Sequence, residues 1–319
     1  MRTQVLALRL LCLSLTTLLM LGGCAGPGAE TNADRPLIVA TTTILGDLAA
    51  RVAGDDADVE ILTPIGADPC TYQPTSEQTR SLLEADLVVS SGLGLEAGLA
   101  EALAEAERRG VRMLRLGDEL YPRHVGGVAD EALDPYWWMD PLRAAGSVSL
   151  IADCMLTIRD GDWVMRALET ERALCALDDE IRDALWRHEA GPRYLIASKP
   201  GLGYFAERYD CIIADLGLSP VESLGPSSTS RVRTMATEPY GSGTSRIPES
   251  EPARRGVSLM APSGSGGVSA EMASVYVDSL GAPGSGAETY EDMMRTNADR
   301  IARAGQNVLI EWVHQDAQA

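Results

Sequence analysis

Apolar positions along the first third of the chain alternate between short runs and longer periodic stretches. Leu37-Ile-Val-Ala-Thr-Thr-Thr43 is a brief run of apolar and β-branched residues, which predicts a strand, and Ile44 to Val52 then spaces its apolar residues as a helix does. Val59 to Leu62 predicts a second strand, ending in the Pro-Ile-Gly-Ala-Asp-Pro loop that delivers Cys70. Ser76 to Ala85 reads as a helix, Leu87 to Ser90 as a buried strand, Leu95 to Arg109 as a helix and Val111 to Leu116 as a strand. Strands alternating with helices predict a parallel sheet covered on both faces, with ligands meeting loops beyond the carboxyl ends of the strands.

The pattern then turns helical. Pro141 to Ile158 predicts one helix, and Asp162 to Glu189 a longer one whose apolar residues Val164, Leu168, Leu174, Leu177, Ile181 and Leu185 recur mostly at three- or four-residue steps. Arg193 to Ala197 predicts a strand, followed by a loop holding Lys199 and a helix from Leu202 to Tyr209. From Ser219 to Ala270 the periodicity collapses, and more than half of these residues are Ser, Gly, Pro or Thr. A structureless insert of that length inside a compact lobe is unusual, so residues 219–270 are expected to be disordered or degenerate. Order returns at Ala273-Ser-Val-Tyr-Val-Asp-Ser-Leu-Gly281, and Thr289 to Ile301 predicts a closing helix.

Other features bear on location. Arg2 and an apolar run from Val5 to Leu21 precede the small residues Leu21-Gly-Gly-Cys24. An apolar core this short reads as an export signal rather than a permanent span. The Leu-Gly-Gly-Cys ending resembles a lipobox, which implies cleavage before Cys24 and a lipid on its sulfur, with a plain secretory signal as the alternative. Residues 25–36 then form a flexible tether. The formal net charge of −19 disfavours nucleic acid and anionic lipid headgroups as partners. Cys154 and Cys175 lie in helix-like stretches and read as buried small hydrophobes, while an exported location permits a disulfide. Trp137 and Trp138 read as core or as a wall of the binding cleft. His124, His188 and His314 are scattered, with no partner at ligand spacing.

Four stretches carry a family resemblance: Gly66-Ala-Asp-Pro-Cys-Thr-Tyr-Gln-Pro74, Asp134-Pro-Tyr-Trp-Trp-Met-Asp-Pro141, Ser198-Lys-Pro-Gly-Leu-Gly-Tyr-Phe205 and Asp278-Ser-Leu-Gly281. Together they resemble the solute-binding lipoproteins of zinc and manganese ABC importers. The resemblance runs from Leu37 to Ala304 outside the collapsed segment. It implies an α/β fold of two parallel-sheet lobes joined by one long helix. The leader would be residues 1–24, the N-terminal lobe 37–160, the linking helix 161–190 and the C-terminal lobe 191–315. A zinc or manganese ion would be captured in the cleft between lobes and passed to an ABC permease and its ATPase. The receptor would be a monomer, exported and lipid-anchored on the periplasmic or extracellular face.

The same resemblance places the ligand positions at Cys70, Tyr136, Lys199 and Asp278. The family usually has His at the first two and His or Glu at the third, so only Asp278 keeps the expected type. Cys70 can bind zinc as a thiolate, and Asp278 suits either metal. Tyr136 must shed a phenolic proton to ligate well. Lys199, the chain's only lysine, presents an ammonium with no lone pair. Lys199 is therefore expected to take the metal's place and pair with Asp278. This leaves a second function class, a degenerate relative that binds another solute or nothing. An enzyme is disfavoured: Ser198 beside Lys199 lacks Ser-x-x-Lys spacing, and Gly92-Leu-Gly94 is too short for a nucleotide loop.

Overall fold

A computed structural model describes residues 35–125, 132–187, 193–197, 201–215, 233–234, 256–260, 267–305 and 307–312. In the first sheet β1 (Leu37–Ala40) lies between β2 (Asp58–Ile61) and β3 (Leu87–Ser90), with β4 (Met113–Arg115) outside β3. Every pairing in it is parallel, with Ile38 opposite both Val59 and Leu87. Ile38, Val39 and Ala40 are fully buried, as a strand covered on both faces requires.

Thr42 ends β1 and caps α1 (Thr43–Ala53), its side chain accepting the Leu45 N–H, so the strand is shorter than the run Leu37–Thr43 suggests. A capping box between Thr75 and Gln78 opens α2 (Ser76–Glu84). The expected helix over Leu95–Arg109 begins later, with a 3-10 turn at Ala97–Leu99 leading into α3 (Ala100–Arg108). The run Val111–Leu116 yields three strand residues, and Leu116–Glu119 forms the short helix α4.

Two helices form the middle of the fold. Asp140 caps α5 (Pro141–Ile158), accepting from the Leu142 N–H at 2.9 Å, with Pro141 in the first turn. Among the described residues α5 alone is long and apolar enough to cross a membrane, and it packs on α6 and α1. α6 (Trp163–Trp186) spans roughly 36 Å at 1.5 Å per residue. It buries Trp163, Ala167, Thr170, Leu174, Leu177, Ile181 and Leu185, and packs on α1, α5 and the late helix α8 (Tyr290–Arg303). Val164 and Leu168, expected on the apolar face, are instead 41% and 37% exposed. The buried stripe starts at Trp163, one position before Val164, and the four-residue step to Ala167 keeps Leu168 off it.

The second sheet has the order β6-β5-β10-β9-β8-β7. Its members are β5 (Arg193–Ala197), β6 (Cys211–Asp215), β7 (Arg233–Thr234), β8 (Gly256–Met260), β9 (Gly267–Val275) and β10 (Asn307–Trp312), with α7 (Gly203–Arg208) between β5 and β6. The first four in that order pair in parallel, whereas β8 and β7 add antiparallel strands at the margin. β7, β8 and the first part of β9 fall within 219–270, where the sequence suggested no elements; the rest of that stretch lies outside the described residues. At the entry to β5, Arg193 is buried, and its guanidinium donates to the carbonyls of Leu185, Ile301 and Gly305. One cation thus meets the carbonyl-rich C-terminal ends of α6 and α8. Both sheets belong to one compact unit, Pro36–Ala319.

Candidate metal-binding corner

Cys70 lies on the loop after β2. Its N–H donates to Asp68 Oδ1 at 2.8 Å, and its carbonyl accepts the Gly98 N–H at 3.0 Å. The loop runs so close to Gly98 that a Cβ there would stand 2.2 Å from the Tyr72 carbonyl oxygen. Glycine is therefore a steric requirement for seating this loop on the 3-10 turn.

Tyr136 is buried just ahead of the 3-10 turn Trp137–Met139, and its ring meets Trp138 edge-on at 5.6 Å. Trp137 and Trp138 are fully buried, so they serve as core rather than exposed cleft wall. Asp278 follows β9 by three residues in a segment fastened at three points. Trp138 Nε1 donates to the Val277 carbonyl at 2.9 Å, the Gly66 N–H donates to Ser279 Oγ at 3.1 Å, and the Leu280 N–H donates to Thr43 Oγ1 at 2.9 Å.

Three of the four expected positions therefore meet. The Tyr136 hydroxyl is the donor toward the Asp278 carboxylate and lies within hydrogen-bond reach of the Cys70 sulfur. Burial, then the Asp68 carboxylate, then Asp278 push the Cys70 thiol up to about 11. Burial chiefly, with Asp278 and Cys70 adding, pushes the Tyr136 phenol well above its ordinary range. Both groups hold their protons at neutral pH, and a cation must displace those protons to bind them. Lys199, its expected pairing with Asp278, and the lipid-site Cys24 lie outside the described residues.

Among the described residues no three of the usual His, Cys, Asp and Glu donors converge on a metal position. The corner is a thiol and a carboxylate bridged by a phenol. Asp68 was not singled out from sequence, although it stands two residues before Cys70 in the same motif and acts electrostatically on both Cys70 and Tyr136. Cys70, Cys154, Cys175 and Cys211 are all free thiols. Cys154 packs against the core as expected. Cys175 is exposed, which corrects its reading as a buried hydrophobe: it follows Leu174 directly and so points off the buried stripe of α6. Two grooves of about 360 and 370 Å³ border α6 and α8, but they share no lining residue with the corner.

Residues 38–304 match the model of the family described as zinc-uptake complex component A, periplasmic. The chain belongs to that family. It is 28% identical over 291 residues to the manganese-binding lipoprotein MntA of Halalkalibacterium halodurans, covering 88% of this chain and 93% of that one. To the iron-binding protein YfeA of Yersinia pestis it is 28% identical over 275 residues, covering 83% and 85%. The solved periplasmic zinc-binding protein TroA of Treponema pallidum superposes with a TM-score of 0.62 at 17% identity, covering 85% of this chain and 99% of that one. The family's α/β architecture is thus the fold found here, while the names of these three relatives carry three different metals.

Proposed function

We propose that this chain is the extracytoplasmic receptor of an ABC importer for a divalent transition metal, held at the membrane by a lipid on Cys24. The observation that carries this reading is the convergence of Cys70, Tyr136 and Asp278, from three separate segments, in a member of the zinc-uptake family. The lobes are residues 37–160 and 191–315, with 161–190 as the connecting helix; the packing of α6 on both α1 and α8 supports that division. The receptor works as a monomer that engages a permease and its ATPase, and its net charge of −19 gives nucleic acid no footing.

Donor chemistry selects the cargo. Zinc accepts thiolate readily, whereas manganese prefers oxygen with some nitrogen, so a corner containing Cys70 favours zinc. Capture is proton-coupled. Because the thiol is raised to about 11, bound zinc displaces its proton throughout the neutral range, and affinity climbs up to tenfold per pH unit for each proton released. Lys199 opposes capture while its ammonium is charged.

The test is thermal unfolding of soluble residues 25–319 with zinc, manganese or a chelator at pH 6 and pH 8. Ligand at 100 times its Kd adds about 2.7 kcal/mol, worth several degrees. Zinc is expected to raise Tm, more at pH 8 than at pH 6, and more than manganese does. Cooperative melting with no shift from either metal at either pH would overturn the metal reading. The high proton affinity of Cys70 and Tyr136 would then favour a family member that binds another solute or none.

A further inference from the structure

One cluster outside the corner ties it to the opposite half of the molecule. Asp134 is buried and divides its carboxylate: Oδ1 accepts the Tyr136 N–H at 3.0 Å, and Oδ2 accepts Arg123 Nη1 at 2.9 Å. Arg123 also reaches α7, where its Nε donates to Glu207 Oε2 at 3.1 Å. From α7, Tyr204 returns the contact twice. Its hydroxyl accepts the Arg123 N–H at 3.0 Å and donates to the Asp134 carbonyl at 3.1 Å.

Two guanidiniums lie over the Tyr204 ring, Arg143 at 4.7 Å and Arg123 at 5.5 Å from its centroid. Beside it a Cβ on Gly203 would stand 1.7 Å from Arg123 Nη1 and 2.6 Å from Asp134 Oδ2, so only glycine permits this approach. Apart from the exposed Glu207, the cluster is largely buried. Its polar atoms are spent on the backbone that presents Tyr136 and on the helix that begins four residues after Lys199.

We infer that Arg123 and Tyr204 are positioning residues for metal capture, fixing the Tyr136 backbone and keying it to α7. The inference rests on the receptor reading above. Asp134 is the central link: the carboxylate that orients the Tyr136 amide is itself oriented by Arg123, and Arg123 is registered by Tyr204. A ligand corner assembled from separate segments keeps its geometry only if such supports hold the segments together, and losing an outer support of this kind weakens metal binding on the order of 10-fold to 100-fold.

The test uses soluble residues 25–319 with Tyr204→Phe, which deletes one oxygen and keeps the stacked ring, and Arg123→Met as the larger lesion. Two quantities are read: the zinc Kd by chelator competition, and hydrogen exchange at the Tyr136 amide. The expectation for both variants is a zinc Kd weakened about tenfold or more and faster exchange at Tyr136. Arg123→Lys, which keeps the charge near Asp134 but loses the guanidinium fork, should recover part of both losses. Arg295→Met, which breaks an exposed ion pair with Glu180, should change neither.

Wild-type exchange at Tyr136 in Tyr204→Phe would overturn the inference, whatever happens to zinc. Wild-type protein that takes up no zinc would sink the receptor reading instead, and the exchange measurement would still decide whether Arg123 and Tyr204 position Tyr136. If Arg123→Met does not fold, Tyr204→Phe and Arg123→Lys carry the test.

Discussion

The contacts of Cys70 itself stay within the segments of the first sheet: its N–H turns back on Asp68, and its carbonyl is taken by Gly98. Asp278 sits in a segment held from far along the chain, by Trp138, Gly66 and Thr43. The first position needs contacts within the first sheet's segments, whereas the second needs contacts that reach across to them. A receptor with one locally formed wall and one wall formed by tertiary contact can lose its cargo without losing its fold. Damage to the contacts around Asp278 opens the site, and damage around Cys70 alters its chemistry.

The strongest blow to the tertiary wall is Trp138→Ala. Trp138 is fully buried, packs on Tyr136 and Trp137, and receives the Tyr290 hydroxyl at its carbonyl, 2.6 Å away. Removing a buried Trp side chain costs about 3–5 kcal/mol, read as a lower denaturant midpoint. Hydrogen exchange should rise at 277–280 and stay near wild type at 68–72. Equal loosening of both segments would contradict the contrast between the walls.

Cys70 offers the next largest effect, in reactivity. Alkylation needs the thiolate, and a thiol raised from 9.0 to about 11 carries on the order of 100-fold less of it at pH 8. Exposed Cys175 should therefore be modified first, with Cys70 far slower and its rate climbing with each pH unit until about pH 11. The sign follows from burial and the flanking carboxylates, which disfavour the anion. Asp68→Asn removes the nearer of those charges and should speed Cys70 while leaving Cys175 unchanged, as mass spectrometry of the modified peptides would show.

The two walls also differ in how far they could be read from sequence. β3, α5 and β5 follow their apolar runs closely because each run is bounded by a cap, a proline or a polar turn. The second sheet was harder. Its central strand β10 is a bare Val308-Leu309-Ile310 run behind the closing helix, and its edge strand β6 leaves both Ile212 and Ile213 exposed; neither run carries an apolar alternation to mark it. Periodicity gave the rough extent of α6 and the buried face from Leu174 to Leu185, but set the start of that face one position late, because Trp163, not Val164, faces the core. Cys70, Tyr136 and Asp278 were legible as a set only through motif resemblance, since no local rule relates positions so far apart. Asp68 and Tyr204 lie inside two of those motifs but away from the ligand positions, and Arg123 lies outside them all: an aspartate before a proline, a tyrosine in a short helix and an arginine in a loop take on meaning only when the fold brings them beside Tyr136.

The smallest lesion is the most discriminating. Ser279→Ala deletes one hydroxyl, which accepts the Gly66 N–H and donates to the Leu280 carbonyl. Losing a hydrogen bond of this kind costs about 1 kcal/mol, a modest change in Tm. Its position makes it informative, because Ser279 adjoins Asp278 while Gly66 opens the loop that carries Cys70, so this bond joins the two walls directly. If the Asp278 wall depends on tertiary contact, zinc affinity should fall by more than the roughly fivefold that 1 kcal/mol represents, because Asp278 loses its register with the Cys70 loop as well as one stabilising contact. A loss in zinc binding no greater than the loss in stability would mean that Asp278 is held by its own strand after all, and the two walls would then be alike.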